Sequence, residues 1–303
     1  MTMAEDIARL KNEKKAVILA HNYQRPEVQD IADYVGDSIE LSLRAREEHD
    51  ARIIMFAAVD FMAESAAILN PGKKVLLPCL GARCSMVQML TAEQVRMWKK
   101  KYPNVPVVLY VNTLAEAKAE CDVCCTSANA IHVVEAVEGE TVLFGPDRNL
   151  AEYVEEKTGK NVIPIPPQGF CPTHLLFMRD DISAQKEVHS DAVVAVHPEC
   201  PKEVRDVADY VGSTSQICRY ANASAAKEFI IGTEIGILHK LKKENSGKRF
   251  FPAYDEATCN AMKLTTLERL YRSLMDEKNL VTVPRDVAKR ASKSLEKMFT
   301  LST

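Results

Sequence analysis

Three apolar runs of strand length, each ending in a polar pair, punctuate the chain: AVILAHNY (16–23), VPVVLYVN (105–112) and DAVVAVHPE (191–199). A helix-like stretch follows each run and leads to DYVGDS (33–38), DVCCTS (122–127) or DYVGST (209–214). Next come the apolar runs RIIMFAAVD, TVLFGPD and EFIIGTE, each followed by a second helical pattern. A short strand, KKVLLP, KNVIPIP or KRFFPA, closes each set, and a cysteine lies five to seven residues beyond its final proline or alanine. Strands alternating with helices predict parallel sheets with helices on their faces. The unbroken apolar character of VILA and VVLY fits strands covered on both sides.

The register of this repetition can be tested by subtraction. With Asp33, Asp122 and Asp209 as zero, His21, Tyr110 and His197 lie twelve residues earlier. Tyr23, Asn112 and Glu199 lie ten earlier, and Ser38, Ser127 and Thr214 five later. Asp60, Asp147 and Glu234 are spaced by 87 and 87; Cys84, Cys171 and Cys259 by 87 and 88. Such agreement predicts three copies of a β-α-β-α-β-α-β unit, nominally 1–84, 85–171 and 172–259. Residues 260–303 read as a helix (TTLERLYRSLMDEKN), a short strand (LVTV) and a Pro-initiated helix, a tail packing back on the first unit.

Composition narrows the function. Hydrophobic residues make up 47% of the 303 positions, as in a folded globular protein. Lys plus Arg (39) nearly cancels Asp plus Glu (42) without a basic stripe, so nucleic acid is not an expected partner. The first fifteen residues carry acids and no signal-like apolar run, and no stretch approaches ~18 consecutive apolar residues. A cytoplasmic protein without a membrane span is expected. In a reducing compartment its nine cysteines are buried hydrophobes, metal ligands or nucleophiles rather than disulfides.

Ligands of open α/β sheets bind beyond the carboxyl ends of the strands. The pairs His21/Tyr23, Tyr110/Asn112 and His197/Glu199 occupy those ends, each on one strand face. Ser38, Ser127 and Thr214 are placed to start helices and cap their free amides, where anions also bind. A pseudo-threefold packing would bring all these groups and the three matched cysteines to one cavity. Each group alone has a plain structural reading, as cap, strand-end residue or buried thiol. Recurrence at matched positions, with polar identities that differ between copies, favours a site.

Three thiolates on three loops suit a [4Fe–4S] cluster with one iron lacking a protein ligand. Zinc with an added ligand is the other metal these residue types allow. Cys121, Cys124 and Cys125 form a local C-x-x-C-C that aligns with the apolar DYVG strands, so they read as buried structural residues. Cys79, Cys200 and Cys218 have no mates in the repeat and read as packing residues.

These residues, above all AHNYQRPEVQDIADYVGDS (20–38), LYVNTLAEAKAECDVCCTSANA (109–130), CPTH (171–174) and VHPECPKEVRDVADYVGSTSQ (196–216), resemble the quinolinate synthase family. FGPDRNLAEYV (144–154) and IGTEIGILHKL (231–241) extend the likeness, which runs from about Lys15 to the C-terminus. The resemblance implies an α/β fold of three internally repeated three-layer α/β/α domains with parallel sheets around a pseudo-threefold axis. It implies condensation of iminoaspartate (iminosuccinate) with dihydroxyacetone phosphate to quinolinate, phosphate and water, in de novo NAD biosynthesis. Cys84, Cys171 and Cys259 would bind a [4Fe–4S] cluster. His21, Ser38, Tyr110, Val111, Asn112, Ser127, His197, Pro198, Glu199 and Thr214 would line the substrate pocket.

Catalysis would fall to His21, Tyr23, Tyr110, His197 and Glu199, the last being the sole carboxylate among the matched strand-end pairs. An aspartate oxidase or dehydrogenase would supply iminoaspartate. The chain departs from members that carry a C-terminal C-x-x-C, since no cysteine follows Cys259. Another non-redox cluster hydro-lyase, and a cluster-based sensor, are the competing functions. A sensor needs no such set of matched polar groups.

Overall fold

The computed structural model describes residues 2–301. Residue 1 of the first predicted unit and residues 302 and 303 of the tail lie outside the described residues. The first sheet contains β1 (Ala16–His21), β2 (Tyr34–Gly36), β3 (Ile53–Ala57) and β4 (Lys74–Leu76), in the order β2-β1-β3-β4. The second contains β5 (Val107–Tyr110), β6 (Val123–Cys125), β7 (Thr141–Gly145) and β8 (Asn161–Pro164), in the order β6-β5-β7-β8. The third contains β9 (Val193–Val196), β10 (Tyr210–Val211), β11 (Glu228–Gly232) and β12 (Arg249–Pro252), in the order β10-β9-β11-β12. Every strand pair is parallel, with helices between successive strands. This is the predicted α/β architecture of three repeated α/β/α units.

Alternation along β1 explains why its sequence reads as one apolar run. Val17 and Leu19 enter one core with Ile54, Phe56 and Val75. Ile18 and Ala20 enter a second core with Ile53, Met55 and Leu76. Both faces are buried, so neither parity of the strand tolerates a polar residue. The second core is closed by Ile7 and Leu10 of the helix Met3–Lys14 and by Leu270 and Leu274 of the helix Leu267–Asp276. Burying each such leucine is worth roughly 1.5–3 kcal/mol. The N-terminal helix begins at a capping box, Thr2 with Glu5, and Thr91 with Gln94 begins the helix Ala92–Lys101 in the same way at the matched position of the second unit.

The tail divides between two units. Leu267–Asp276 packs on the N-terminal helix and β3, whereas the helix Arg285–Thr300 lies across β6 and the helix Ala115–Lys118 as well as Asp60–Leu69. The expected strand LVTV is absent among the described residues; Leu280 makes one isolated antiparallel bridge with Leu76. With no further ladder the segment is a connection, held at this bridge by Val281 N to Val75 O and Leu77 N to Asn279 O.

The aspartates that set the zero of the repeat have a physical role. Asp33 accepts the Ile18 amide, Asp122 the Val107 amide and Asp209 the Val194 amide, each at 2.8 Å. Their own amides return bonds of 2.9–3.0 Å to the carbonyls of the same three residues. Each aspartate thus closes the crossover from the first strand of its sheet to the second. Asp209→Ala would leave the Val194 amide without this partner. Such a loss costs about 1 kcal/mol, read as a lower urea midpoint, while Asp209→Asn keeps an acceptor and should cost less. A wild-type midpoint for the alanine variant would contradict this role.

Candidate active site

The carboxyl ends of the three sheets face one cavity. His21 ends β1, Tyr110 ends β5 and His197 directly follows β9, and all three line it. Tyr23, Ser38, Asn112, Ser127, Glu199 and Thr214 line the same cavity, as do Cys84, Cys171 and Cys259. Val59, Phe61, Met62, Met86 and Met262 supply an apolar wall. Val111 and Pro198 are buried but do not line it. They are the middle residues of pairs spaced by two, so their side chains leave the face that the flanking residues share. The Val111 amide is used by Cys125 O instead.

The spacing of two has a second effect. The Tyr23 amide donates to His21 Nδ1 at 3.1 Å, and the Glu199 amide donates to His197 Nδ1 at 3.3 Å. An imidazole whose Nδ1 accepts must carry its proton on Nε2 when neutral. His197 Nε2 accordingly meets Ser127 Oγ at 3.2 Å. Burial, with the Lys263 cation next, holds His21 down to about 3. Burial and the neighbouring His174 hold His197 down to about 3. Both imidazoles are neutral near pH 7.

Glu199 is 2% exposed, and its Oε2 lies 2.5 Å from His174 Nδ1 and 3.6 Å from His197 Nδ1. Burial works against its charge, but His174, with a hydrogen bond from Tyr110, outweighs it and keeps the carboxyl low. An ionised carboxylate therefore sits inside the cavity wall. Its Oε1 and Asn112 Oδ1 are buried without a hydrogen-bond partner. On the other side of His174, Nε2 lies 2.8 Å from Thr233 Oγ1 and 3.3 Å from the Tyr23 hydroxyl, which also meets Thr233 Oγ1 at 2.6 Å. Burial, then the Glu199 charge, raises the phenols of Tyr23 and Tyr110, so both stay protonated.

The helix starts differ from expectation. Asp37, not Ser38, caps the helix Ser38–Glu47, its Oδ1 taking the Ile39 and Glu40 amides. Ser213, not Thr214, caps Thr214–Ala223 in a capping box with Gln216. Asn129 precedes Ala130–Ala136, with Ser127 in the turn before it. A carboxylate oxygen reaches two amides from the preceding residue, which a serine already inside the helix cannot do. Ser38 and Thr214 are consequently free to face the cavity, and Thr214 Oγ1 accepts from Asn22 at 2.8 Å. At Ser38 the amides already have a carboxylate, so this terminus is a weaker anion receptor than its sequence suggests.

Burial raises the thiols of all three cavity cysteines, and the other thiols add to this for Cys84 and Cys171. Three half-buried thiols in one cavity suit a soft cationic group that would take them as thiolates. Ligand atoms of Cys171, His174 and Glu199 also lie within 4.8 Å of one another, a second set able to hold a metal. Cys121 and Cys124 lie elsewhere, their sulfurs 3.8 Å apart, with Cys124 against Ser294 of the tail helix. Neither they nor Cys79, Cys125, Cys200 or Cys218 line the cavity.

A family model described as Quinolinate synthetase A protein matches residues 5–300. The chain belongs to the quinolinate synthase family. It is 51% identical over 300 residues to the quinolinate synthase of Methanothermobacter thermautotrophicus, covering 99% of this chain and 98% of that one. Identity to the quinolinate synthase of Pyrococcus abyssi is 49% over 302 residues and 100% of both chains. For that of Thermotoga maritima it is 50% over 299 residues and 99% of both.

In this quinolinate synthase family member, His174 is the site residue that repeat matching missed. Its counterparts three residues after Cys84 and Cys259 are Val87 and Met262, so subtraction removes it. The C-x-x-H spacing from Cys171, a ligand-like pattern, was the available signal. Thr173, Thr126 and Asp37 also line the cavity and were not singled out.

The two depressed imidazoles fix a pH dependence. Unfolded histidines take a proton near about pH 6.5, whereas folded His21 and His197 resist it to about 3. Below about pH 6.5 the unfolded state binds more protons, so stability of the metal-free protein falls as pH drops. The ring signals of both histidines in NMR should stay constant between about pH 5 and about pH 8. A His197 titration centred near the ordinary histidine value would contradict the burial argument.

Proposed function

We propose that this protein condenses iminoaspartate with dihydroxyacetone phosphate to quinolinate, releasing phosphate and water, at a [4Fe–4S] cluster held by Cys84, Cys171 and Cys259. The observation that carries the reading is the meeting of three repeat-related cysteines and an ionised carboxylate in one cavity of a quinolinate synthase family member. When bound, the cluster supplies an iron without a protein ligand, a Lewis acid for a hydroxyl or keto oxygen.

The chain's own groups do the rest. Glu199, ionised, takes protons released as the ring closes and water is lost. Tyr23 and Tyr110, kept protonated, donate hydrogen bonds or protons to departing oxygens. His21 and His197 present Nε2–H to carboxylate or keto oxygens of the substrates. Ser38, Ser127, Asn112 and Thr214 orient the polar ends, and the wall of Phe61, Met62, Met86 and Met262 excludes water from the reacting carbons. An aspartate oxidase or dehydrogenase supplies the imine, in the cytoplasm. Among the described residues no helix is long and apolar enough to cross a membrane.

A second reading, a single zinc on Cys171, His174 and Glu199, is favoured by their close approach. Metal analysis separates the two. Anaerobically reconstituted protein should hold about four irons per chain. Cys84→Ser and Cys171→Ser should lose the cluster, while Cys124→Ser keeps it. One zinc that survives Cys84→Ser would support the second reading and remove the first.

The role of Glu199 is tested by Glu199→Gln, which keeps size and removes the base. Quinolinate formation from the two substrates should fall by ~100-fold or more with iron content matched to wild type. Turnover within about threefold of wild type would take Glu199 out of the mechanism.

A further inference from the structure

The spacing of Asp60, Asp147 and Glu234 matches that of the cysteines, yet none of the three belongs to the substrate machinery described above. Each accepts the backbone amide of one cavity cysteine. Asp60 Oδ1 takes Cys84 N at 3.2 Å, Asp147 Oδ2 takes Cys171 N at 2.8 Å, and Glu234 Oε1 takes Cys259 N at 3.1 Å. The same side chains also hold the start of the helix or turn that follows the third strand of the sheet. Asp60 accepts Phe61 N at 2.9 Å, Asp147 Oδ1 accepts Leu150 N at 2.8 Å, and Glu234 Oε2 accepts Gly236 N at 2.7 Å.

A backbone bond doubles every strap. Asp60 N, Arg148 N and Ile235 N donate to Ala82 O, Gly169 O and Ala257 O at 2.9–3.0 Å, and each of these carbonyls lies two residues before a cysteine. At Gly169 the approach is so close that a Cβ would meet Pro146 O at 1.8 Å. Counter-charges differ between copies. Arg83 pairs with Asp60 at 3.0 Å and Lys263 with Glu234 at 2.8 Å, while Asp147, fully buried, has no ion pair among the described residues. What recurs in all three is the bond to the cysteine amide.

We propose that Asp60, Asp147 and Glu234 are positioning residues that pin the three cysteine loops, so that the sulfurs are aimed into the cavity before the cluster arrives. The inference rests on the cluster reading. A ligand loop tied at the ligand's own amide and two residues upstream has little freedom left in its backbone. Outer partners of this kind typically change metal retention by 10–100-fold. At Asp147 and Glu234 a carboxylate suits the position because its two oxygens receive two amides from different directions, whereas at Asp60 Oδ1 takes both. An amide side chain accepts at one and opposes a donor to the other.

The experiment measures anaerobic iron release from reconstituted holoprotein to a chelator, beside the melting temperature of the metal-free protein. Asp147→Asn keeps an acceptor for Leu150 but sets a donor against the Cys171 amide; Asp60→Ala tests the first loop at a less buried position, and Glu234→Gln the third. Each should speed iron release by about tenfold or more and alter the electron paramagnetic resonance of the reduced cluster. Asp209→Ala, which loosens a crossover remote from the cysteines, should lower the melting temperature and leave release unchanged. Release at the wild-type rate in all variants that fold, or equal acceleration by Asp209→Ala, would overturn the inference alone. Wild-type protein that takes up no iron would instead overturn the cluster reading, and this inference with it.

Discussion

A carboxylate buried to 2% exposure is the constraint around which the cavity is built. An isolated charge there would cost several kcal/mol, so Glu199 needs partners, and the fold recruits them from separate parts of the chain. His174 comes from the short turn after Cys171 and Tyr110 from the second sheet. His174 is in turn held by Thr233 and Tyr23, while the neighbouring His197 is held by the Glu199 amide and Ser127. One charge thereby ties the three sheets together at their carboxyl ends. The same dependence explains why so many polar side chains can be buried in one place without unfolding it.

Much of this was legible because duplication leaves arithmetic in the sequence. The aspartates at 33, 122 and 209 recur because each closes the same crossover with the same pair of bonds. The continuous apolar runs recur because both faces of each central strand meet a helix layer. The strand-end pairs and the three cysteines could be aligned for the same reason, and all of them line one cavity.

What was not legible lacks a copy. His174 replaces Val87 and Met262 at its matched positions, and nothing in the repeat marks it. Arg285–Thr300 belongs to no unit, and its packing against the first core follows from an amphipathic face whose partners lie far along the chain. Helix caps were displaced by one residue at Ser38 and Thr214, since the better acceptor, Asp37 or Ser213, stands just before. LVTV has strand-like composition but only one bridge to offer it, so tertiary context overrides propensity.

The bonds from the Tyr23 and Glu199 amides to the preceding imidazoles have a consequence for what the cavity can admit. Both rings are committed to donating inward, and two raised phenols can donate as well. The ionised Glu199 and the Asn112 carbonyl oxygen are acceptors in the same cavity. The cavity therefore sorts visitors by polarity of hydrogen bonding before it sorts them by shape. Molecules rich in bare oxygens find complementary donors on several sides, whereas an amine or ammonium finds fewer acceptors. That preference is set in part by the backbone, whose amides at residues 23 and 199 hold the Nδ1 atoms of the two rings.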